Sequence, residues 1–235
     1  MRIDKYVQVA LKTSRNDARQ IIKSKKIKVN NEIVIKNDYF VKEDDCILYN
    51  DQKLIYKEFF YIMMNKPQGY ICAKEDNKHK VVLELLDNYN TNDIIIVGRL
   101  DIDTEGLLLI TNDGLLCHQL TSPKKECPKE YFVICDSEFC DNDCLVFEEG
   151  TVIFETTDKP YKCKKAILKI DKENPKCANI TITEGKYHQV KKMCKSVGKN
   201  VTYLKRIRVN NLVLDETLKP GEYRELTDEE LNLLK

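Results

Sequence analysis

The sequence predicts an α+β protein: a small N-terminal unit over residues 1–50, a linker over 51–58, and a larger domain over 59–235 with a mixed, mainly antiparallel sheet flanked by helices. Three observations carry that reading. Short strand-like apolar runs outnumber helix-like ones. They do not alternate regularly with helices, which argues against a doubly wound parallel sheet. Positive charge also concentrates in the first thirty residues, although the whole chain carries a net charge of only +1.

The N-terminal unit reads as two helices and a hairpin. Ile3, Tyr6, Val7, Ala10 and Leu11 recur at helical spacing and mark one apolar face. Ser14 suits an N-cap, and Asp17 three residues on completes a capping-box pattern. A second short helix follows, with Ala18, Ile21 and Ile22 inward. Two strand-like runs, Lys26–Val29 and Glu32–Lys36, flank Asn30-Asn31, a pair suited to a tight turn. Residues 1–30 hold nine Lys or Arg against two Asp, an excess of seven positive charges. A solvated helix surface usually mixes both signs, so this segment is read as a nucleic-acid footprint: Arg2, Lys5, Arg15, Arg19, Lys23 and Lys26 are its candidate contacts. Asp51–Glu58 is polar and aperiodic, and is taken as the linker.

In the larger domain, Phe59–Met64, Ile94–Val97 and Leu107–Ile110 suit buried strands, the last ending at the turn signal Asn112-Asp113-Gly114. Ala166–Ile170 and Asn179–Thr183 alternate as half-buried strands do. Val190, Met193, Cys194 and Val197 fit one helical face. Thr227 and Glu230 make a capping box for a last helix through Leu231 and Leu234.

Apolar residues make up 42% of the 235, enough for ordinary cores, and no stretch approaches the ~18 consecutive apolar residues of a membrane-spanning helix. The N-terminus resembles neither a signal peptide nor a transit peptide. With ten cysteines and no such leader, the expected state is reduced thiols in the cytoplasm, without a membrane partner. Cys135, Cys140 and Cys144 do not form the paired spacing of a zinc site, so no metal is expected.

Two stretches can carry chemistry. Gly98–Leu107 follows one apolar strand and precedes another, and its glycines bracket Asp101, Asp103 and Glu105. A carboxylate at such a turn can act as nucleophile or general base. The competing reading is a structural turn with solvated acids, and on physical grounds alone Asp101 and Asp103 are not separable here. The second stretch runs from Lys186 to Arg208, with eight Lys or Arg and no acid, interleaved with His188, Tyr187 and Tyr203. Cations meet phosphates and rings stack on unpaired bases, so His188, Gln189, Lys192, Arg206 and Arg208 are candidate RNA contacts. The competing reading is a basic helix surface beside an exposed strand.

At this point a resemblance can be stated. Arg2-Ile3-Asp4-Lys5-Tyr6 and Ser14-Arg15-Asn16-Asp17-Ala18 resemble the S-four-like RNA-binding domain. Asn65-Lys66-Pro67-Gln68-Gly69-Tyr70, the run Gly98–Gly114, Lys129-Glu130-Tyr131 and the run Glu184–Met193 resemble, almost end to end, the pseudouridine synthases of ribosomal RNA. The Gly98–Gly114 run is the most specific of these signatures. The resemblance implies that Asp101 is the catalytic carboxylate, that Tyr131 stacks on the target base, and that Lys191 pairs with Asp101. It places Arg99, Leu100, Val190 and Leu204 at the pocket, and it implies no cofactor. A nearby cation suits a carboxylate that acts in its ionised form. Tyr187-His188 resembles the small-subunit branch, so 16S ribosomal RNA, in partly assembled small subunits, is the expected substrate and partner, with a monomer as the default. Two rivals stay open: a synthase acting on 23S ribosomal RNA, and a non-catalytic RNA-binding assembly factor. The chain departs from its relatives at Asn210-Asn211, where a glycine pair is common.

Overall fold

The computed structural model describes residues 1–42, 44–87, 89, 94–154 and 159–235. The chain divides into two compact units: Met1–Phe60 with Leu86–Ile94, and Tyr61–Leu85 with Ile95–Lys235. Among the described residues, no helix is long and apolar enough to cross a membrane.

In the first unit, α1 (Ile3–Ala10) and α2 (Arg15–Lys23) pack beside a four-stranded sheet of β1 (Ile27–Val29), β2 (Glu32–Ile33), β3 (Ile47–Tyr49) and β4 (Gln52–Lys53). The spatial order is β2-β1-β3-β4. Ile3, Val7, Ala18, Ile22, Ile27, Val29 and Ile47 close a core with Leu54. The Ser14 hydroxyl accepts the Asp17 N–H at 3.1 Å, as an N-cap does, but Asp17 takes the Ser14 hydroxyl proton at 2.6 Å instead of reaching back to its backbone. Asn30 and Asn31 adopt φ of +50° and +70°, the left-handed pair that a two-residue hairpin needs. Asn50 and Asp51 repeat the device at +49° and +64°, joining β3 to β4. The expected linker therefore begins inside folded structure. Gln52–Lys53 pairs with β3, Leu54 is buried, and Tyr6 donates its hydroxyl to the Leu54 carbonyl at 2.9 Å. A single apolar residue in a polar stretch carries too little periodicity to signal that.

The second unit follows the order β5 (Tyr61–Lys66), β6 (Tyr70–Ile71), β7 (Lys80–Val81), β8 (Ile95–Val97), β9 (Glu105–Thr111), α3 (Gly114–Thr121) and β10 (Lys129–Cys135). It continues through α4 (Asp141–Glu149), β11 (Val152–Phe154), β12 (Pro160–Lys162), β13 (Ile167–Ile170), β14 (Cys177–Ile182) and α5 (Gln189–Ser196). It ends with β15 (Val201–Val209), β16 (Leu212–Val213), β17 (Tyr223–Glu225) and α6 (Asp228–Asn232). The main sheet runs β13-β14-β10-β15-β9-β5-β17, with β16 on β15 and β8 on β9. Among the described residues its one parallel pairing is β15 with β9, so it is mixed and mainly antiparallel.

Some expected elements change character. Asp113 does not merely turn the chain: its Oδ1 accepts the N–H groups of Leu115 and Leu116 at 2.9 and 3.1 Å and starts α3. The stretch after α5 was open to reading as an exposed basic strand. It is β15, with partners on both sides, because its neighbours β10 and β9 supply carbonyl groups and cover that local composition does not reveal. Asn210, at φ +52°, makes the two-residue turn from β15 to β16 in place of a glycine. Thr227 and Glu230 form the expected capping box.

Candidate active site

Strand pairing locates the Gly98–Thr104 turn. β5 runs along one edge of β9, from Tyr61 opposite Thr111 to Lys66 opposite Gly106. The other edge of β9 meets β8 at its C-terminal end and β15 at Glu105 and Gly106. The turn joining β8 to β9 therefore returns beside the junction of β9 and β15. It opens at Gly98, at φ +73°.

A buried cation holds this turn. Lys66 is fully buried, and its Nζ donates to the carbonyls of Pro67, Asp101 and Thr104 at 3.0, 3.0 and 2.8 Å. The Thr104 N–H also donates to the Asp101 carbonyl at 3.1 Å, and the Gly69 N–H to that of Ile102 at 2.7 Å. Burial pushes the Lys66 ammonium below the usual lysine value, against the pull of Cys72, Asp101, Asp103 and Glu105. Sequence reading passed over Lys66; its signal was a lysine continuing an apolar strand directly into Pro67. Lys66→Met should lower stability by about 3 kcal/mol, because three backbone carbonyls lose the Lys66 ammonium as a donor, with part of the loss offset by no longer burying a charge. A urea midpoint equal to that of the wild type would refute this bracing role.

Above the brace, Asp101 meets the Lys191 ammonium and the His188 imidazole. Lys191 Nζ lies 3.3 Å from Asp101 Oδ2, and His188 Nε2 lies 3.6 Å from Oδ1. Lys191 is shared: it donates to Asp103 Oδ1 at 2.5 Å. Burial raises the Asp103 carboxyl, but the Lys191 hydrogen bond and charge outweigh it and hold it below the ordinary aspartate value. The two acids differ in setting, with side-chain exposures of 27% for Asp101 and 62% for Asp103.

The segment before α5 sets these two side chains. Glu184 is buried and accepts from Tyr161 Oη and Gln189 Nε2, each at 2.7 Å, and from the Lys164 N–H at 3.0 Å. Gln189 Oε1 accepts the Lys186 N–H at 2.8 Å. The chain then enters α5 through His188 at φ +52°, whose ring stacks on Tyr187 with centroids 3.8 Å apart.

The expected RNA contacts stand in different settings. Gln189 is 3% exposed and braces its own loop. Arg206 is 2% exposed and donates its Nε to the Leu107 carbonyl at 2.8 Å, because β15 lies inside the sheet. Arg208 is engaged by Glu130 Oε2 at 2.7 Å and by the Asn210 carbonyl at 2.6 Å. His188 stands at the acidic turn. Lys192 is half-buried, with its ammonium 5.3 Å from the Tyr187 ring centroid. In the first unit, Lys5, Lys23 and Lys26 are exposed, and Arg2, Arg15 and Arg19 converge on Asp4.

Tyr131 is 8% exposed and sits opposite Arg206 across β15, which in turn faces Gly106 and then Lys66. Tyr131 and the brace of the acidic turn thus lie in one transverse row. Among the described residues Tyr131 does not hydrogen-bond to Asp101. Leu100, Val190 and Leu204 are buried and Arg99 is exposed. Lys129, two residues before Tyr131, is pushed below the usual lysine value by burial and further by Arg206.

The chain thus combines a helix-and-hairpin unit with a mixed-sheet unit that bears an acidic turn. The family described as RNA pseudouridylate synthase matches residues 60–196, and the S4 domain matches residues 1–47. The chain belongs to the RNA pseudouridine synthase family, whose members are isomerases. It is 40% identical to an uncharacterised RNA pseudouridine synthase of Aquifex aeolicus, over 100% of this chain and 96% of the relative. It is 39% identical to ribosomal small subunit pseudouridine synthase A of Vibrio cholerae and 38% identical to that of Escherichia coli, in each case over 98% of both chains. A crystal structure of a pseudouridylate synthase matches 100% of both chains at 35% identity with a TM-score of 0.69.

Proposed function

We propose that this enzyme converts one uridine of 16S ribosomal RNA to pseudouridine, with Asp101 as the catalytic carboxylate. One observation carries the choice of acid. Asp101 is the less exposed carboxylate of the turn, its own carbonyl is held by Lys66, and it faces both Lys191 and His188. Asp103 is more open and accepts the shorter contact from Lys191, which suits a residue that positions the lysine. The choice of 16S RNA is supported by the names of the Vibrio cholerae and Escherichia coli relatives and by the length over which they align.

The reaction is redox-neutral and conserves atoms. The target uridine leaves its stack so that C1′ and C5 can be reached. The N1–C1′ bond breaks with help from Asp101, acting on the sugar, on the base or at C2′. The freed uracil turns while held, C5 bonds to C1′, and C5 loses its proton as N1 gains one. Retention of the base makes recombination intramolecular. In this reading Tyr131 stacks on the base, while Leu100, Val190 and Leu204 supply apolar cover and Arg99 lies at the rim. Residues 1–50 act as the RNA-binding domain and residues 59–235 as the catalytic domain.

Pseudouridine mapping in a strain lacking the gene tests the substrate. The expected result is loss of one 16S mark, restored by the wild-type gene, with product formed in vitro on free 16S RNA or on partly assembled small subunits. Loss of a 23S mark with every 16S mark intact would overturn the proposed substrate.

A further inference from the structure

Three arginines of the first unit share one carboxylate. Arg2 precedes α1, whereas Arg15 and Arg19 lie one turn apart on α2. Arg2 donates to Asp4 through Nε at 3.1 Å and Nη2 at 3.0 Å. Arg15 and Arg19 each donate Nε to Asp4 Oδ2, at 3.2 and 3.4 Å. The Asp4 side chain is 0% exposed, while those of Arg2, Arg15 and Arg19 are 41%, 51% and 41% exposed.

This arrangement exceeds what burial of Asp4 demands. One bidentate arginine would already compensate a carboxylate, yet three cations surround it and leave a local excess of two positive charges. Asp4 takes only the Nε edge of Arg15 and Arg19. Their Nη groups have no protein partner among the described residues. Burial raises the Asp4 carboxyl, but hydrogen bonds and charges from Arg2 and Arg15 outweigh it and hold it below the ordinary aspartate value. The anion therefore persists at neutral pH. A free arginine side chain loses rotamer freedom on binding, and here part of that loss occurs on folding, before any ligand arrives.

We propose that Asp4 is a positioning residue for RNA: its buried carboxylate holds Arg2, Arg15 and Arg19 as a preorganised clamp for one backbone phosphate. The proposal rests on the reading of this unit as RNA-binding. It makes an expectation opposite in sign to simple charge counting. Asp4→Asn removes a negative charge from a surface that meets a polyanion, so charge alone predicts tighter binding. The clamp predicts weaker binding.

The test measures binding of the full-length protein to transcribed 16S RNA and to an unrelated RNA hairpin across a salt series. Asp4→Asn, folded by circular dichroism, is expected to bind both RNAs about tenfold more weakly with a shallower salt slope, since phosphate contacts carry no sequence information. Tighter or unchanged binding by folded Asp4→Asn overturns the clamp. Should that variant misfold, Arg15→Lys decides, because it keeps the charge and loses the planar fork. Its expected loss matches that of Arg15→Gln, and wild-type affinity would overturn the proposal. The triple variant Arg2→Gln, Arg15→Gln, Arg19→Gln separates the two levels. Unchanged affinity there removes the RNA-binding reading of these arginines, and the clamp with it. A weakened triple beside an unimpaired Asp4→Asn removes the clamp alone.

Discussion

Asp101→Asn is expected to lower pseudouridine formation by about 10³-fold or more while leaving RNA binding and the fold unchanged. The substitution is nearly isosteric, so the turn should hold its shape. What holds it are backbone groups: the Asp101 carbonyl keeps both the Lys66 ammonium and the Thr104 N–H. Nor does the change strand a cation, because Lys191 keeps Asp103 as its nearer partner. Only the anionic carboxylate is lost, and with it the nucleophile or base. The assay is pseudouridine yield on 16S RNA, with circular dichroism and RNA affinity as controls. Product at the wild-type rate would show that Asp101 is not the catalytic group, and Asp103→Asn would become the variant to test. A synthase fold retained only for ribosome assembly would likewise be unaffected by the change.

The second large effect is on stability. Gly106 has φ +104°, and a Cβ built on it would lie 2.2 Å from the Arg206 carbonyl oxygen, 2.8 Å from the Arg206 nitrogen and 2.9 Å from Lys205 Cγ. The first two are backbone atoms of β15, so no side-chain rotation relieves the clash. Gly106→Ala must part β9 from β15 at the point where Arg206 faces Gly106, and it must also hold a strained backbone angle. A loss of about 3 kcal/mol or more is expected, read as a lower urea midpoint at unchanged slope. Activity in the surviving folded fraction should fall as well, since Gly106 also faces Lys66, the brace of the acidic turn. Gly114→Ala is the control. It opens α3, its nearest neighbour would be Ile95 Cδ1 at 3.9 Å, and its effect should be small. Equal midpoints for Gly106→Ala and the wild type would mean that the β9–β15 pairing is looser than the structure shows.

Local chemistry was legible wherever it acts over a few residues. Ser14 and Thr227 marked helix starts because capping is decided within one turn. Asn30-Asn31 marked a hairpin because the pair tolerates left-handed angles. The Gly98–Gly114 run pointed to the synthase family through its wording, and the family's match to residues 60–196 covers it. What the spacing did not show lies where partners are distant in sequence. The basic run after α5 suggested an RNA surface, yet Arg206 is inside, bound to Leu107 ninety-nine positions away. Gln189 belonged to the same reading and instead ties Glu184 to Lys186.

The sequence by itself determined the fold class, the main helix caps and the Asn30-Asn31 hairpin, and marked the acidic turn as a candidate site. Only the tertiary structure distinguished the surroundings of Asp101 from those of Asp103, buried Lys66 beneath them, and gathered three arginines on Asp4. The physical reason is that a charge is tolerated inside a protein only when other strands and helices bring it hydrogen-bond partners or opposite charges. Those partners come from pairing across the sheet and between helices, and the spacing of residues along one segment carries no record of them.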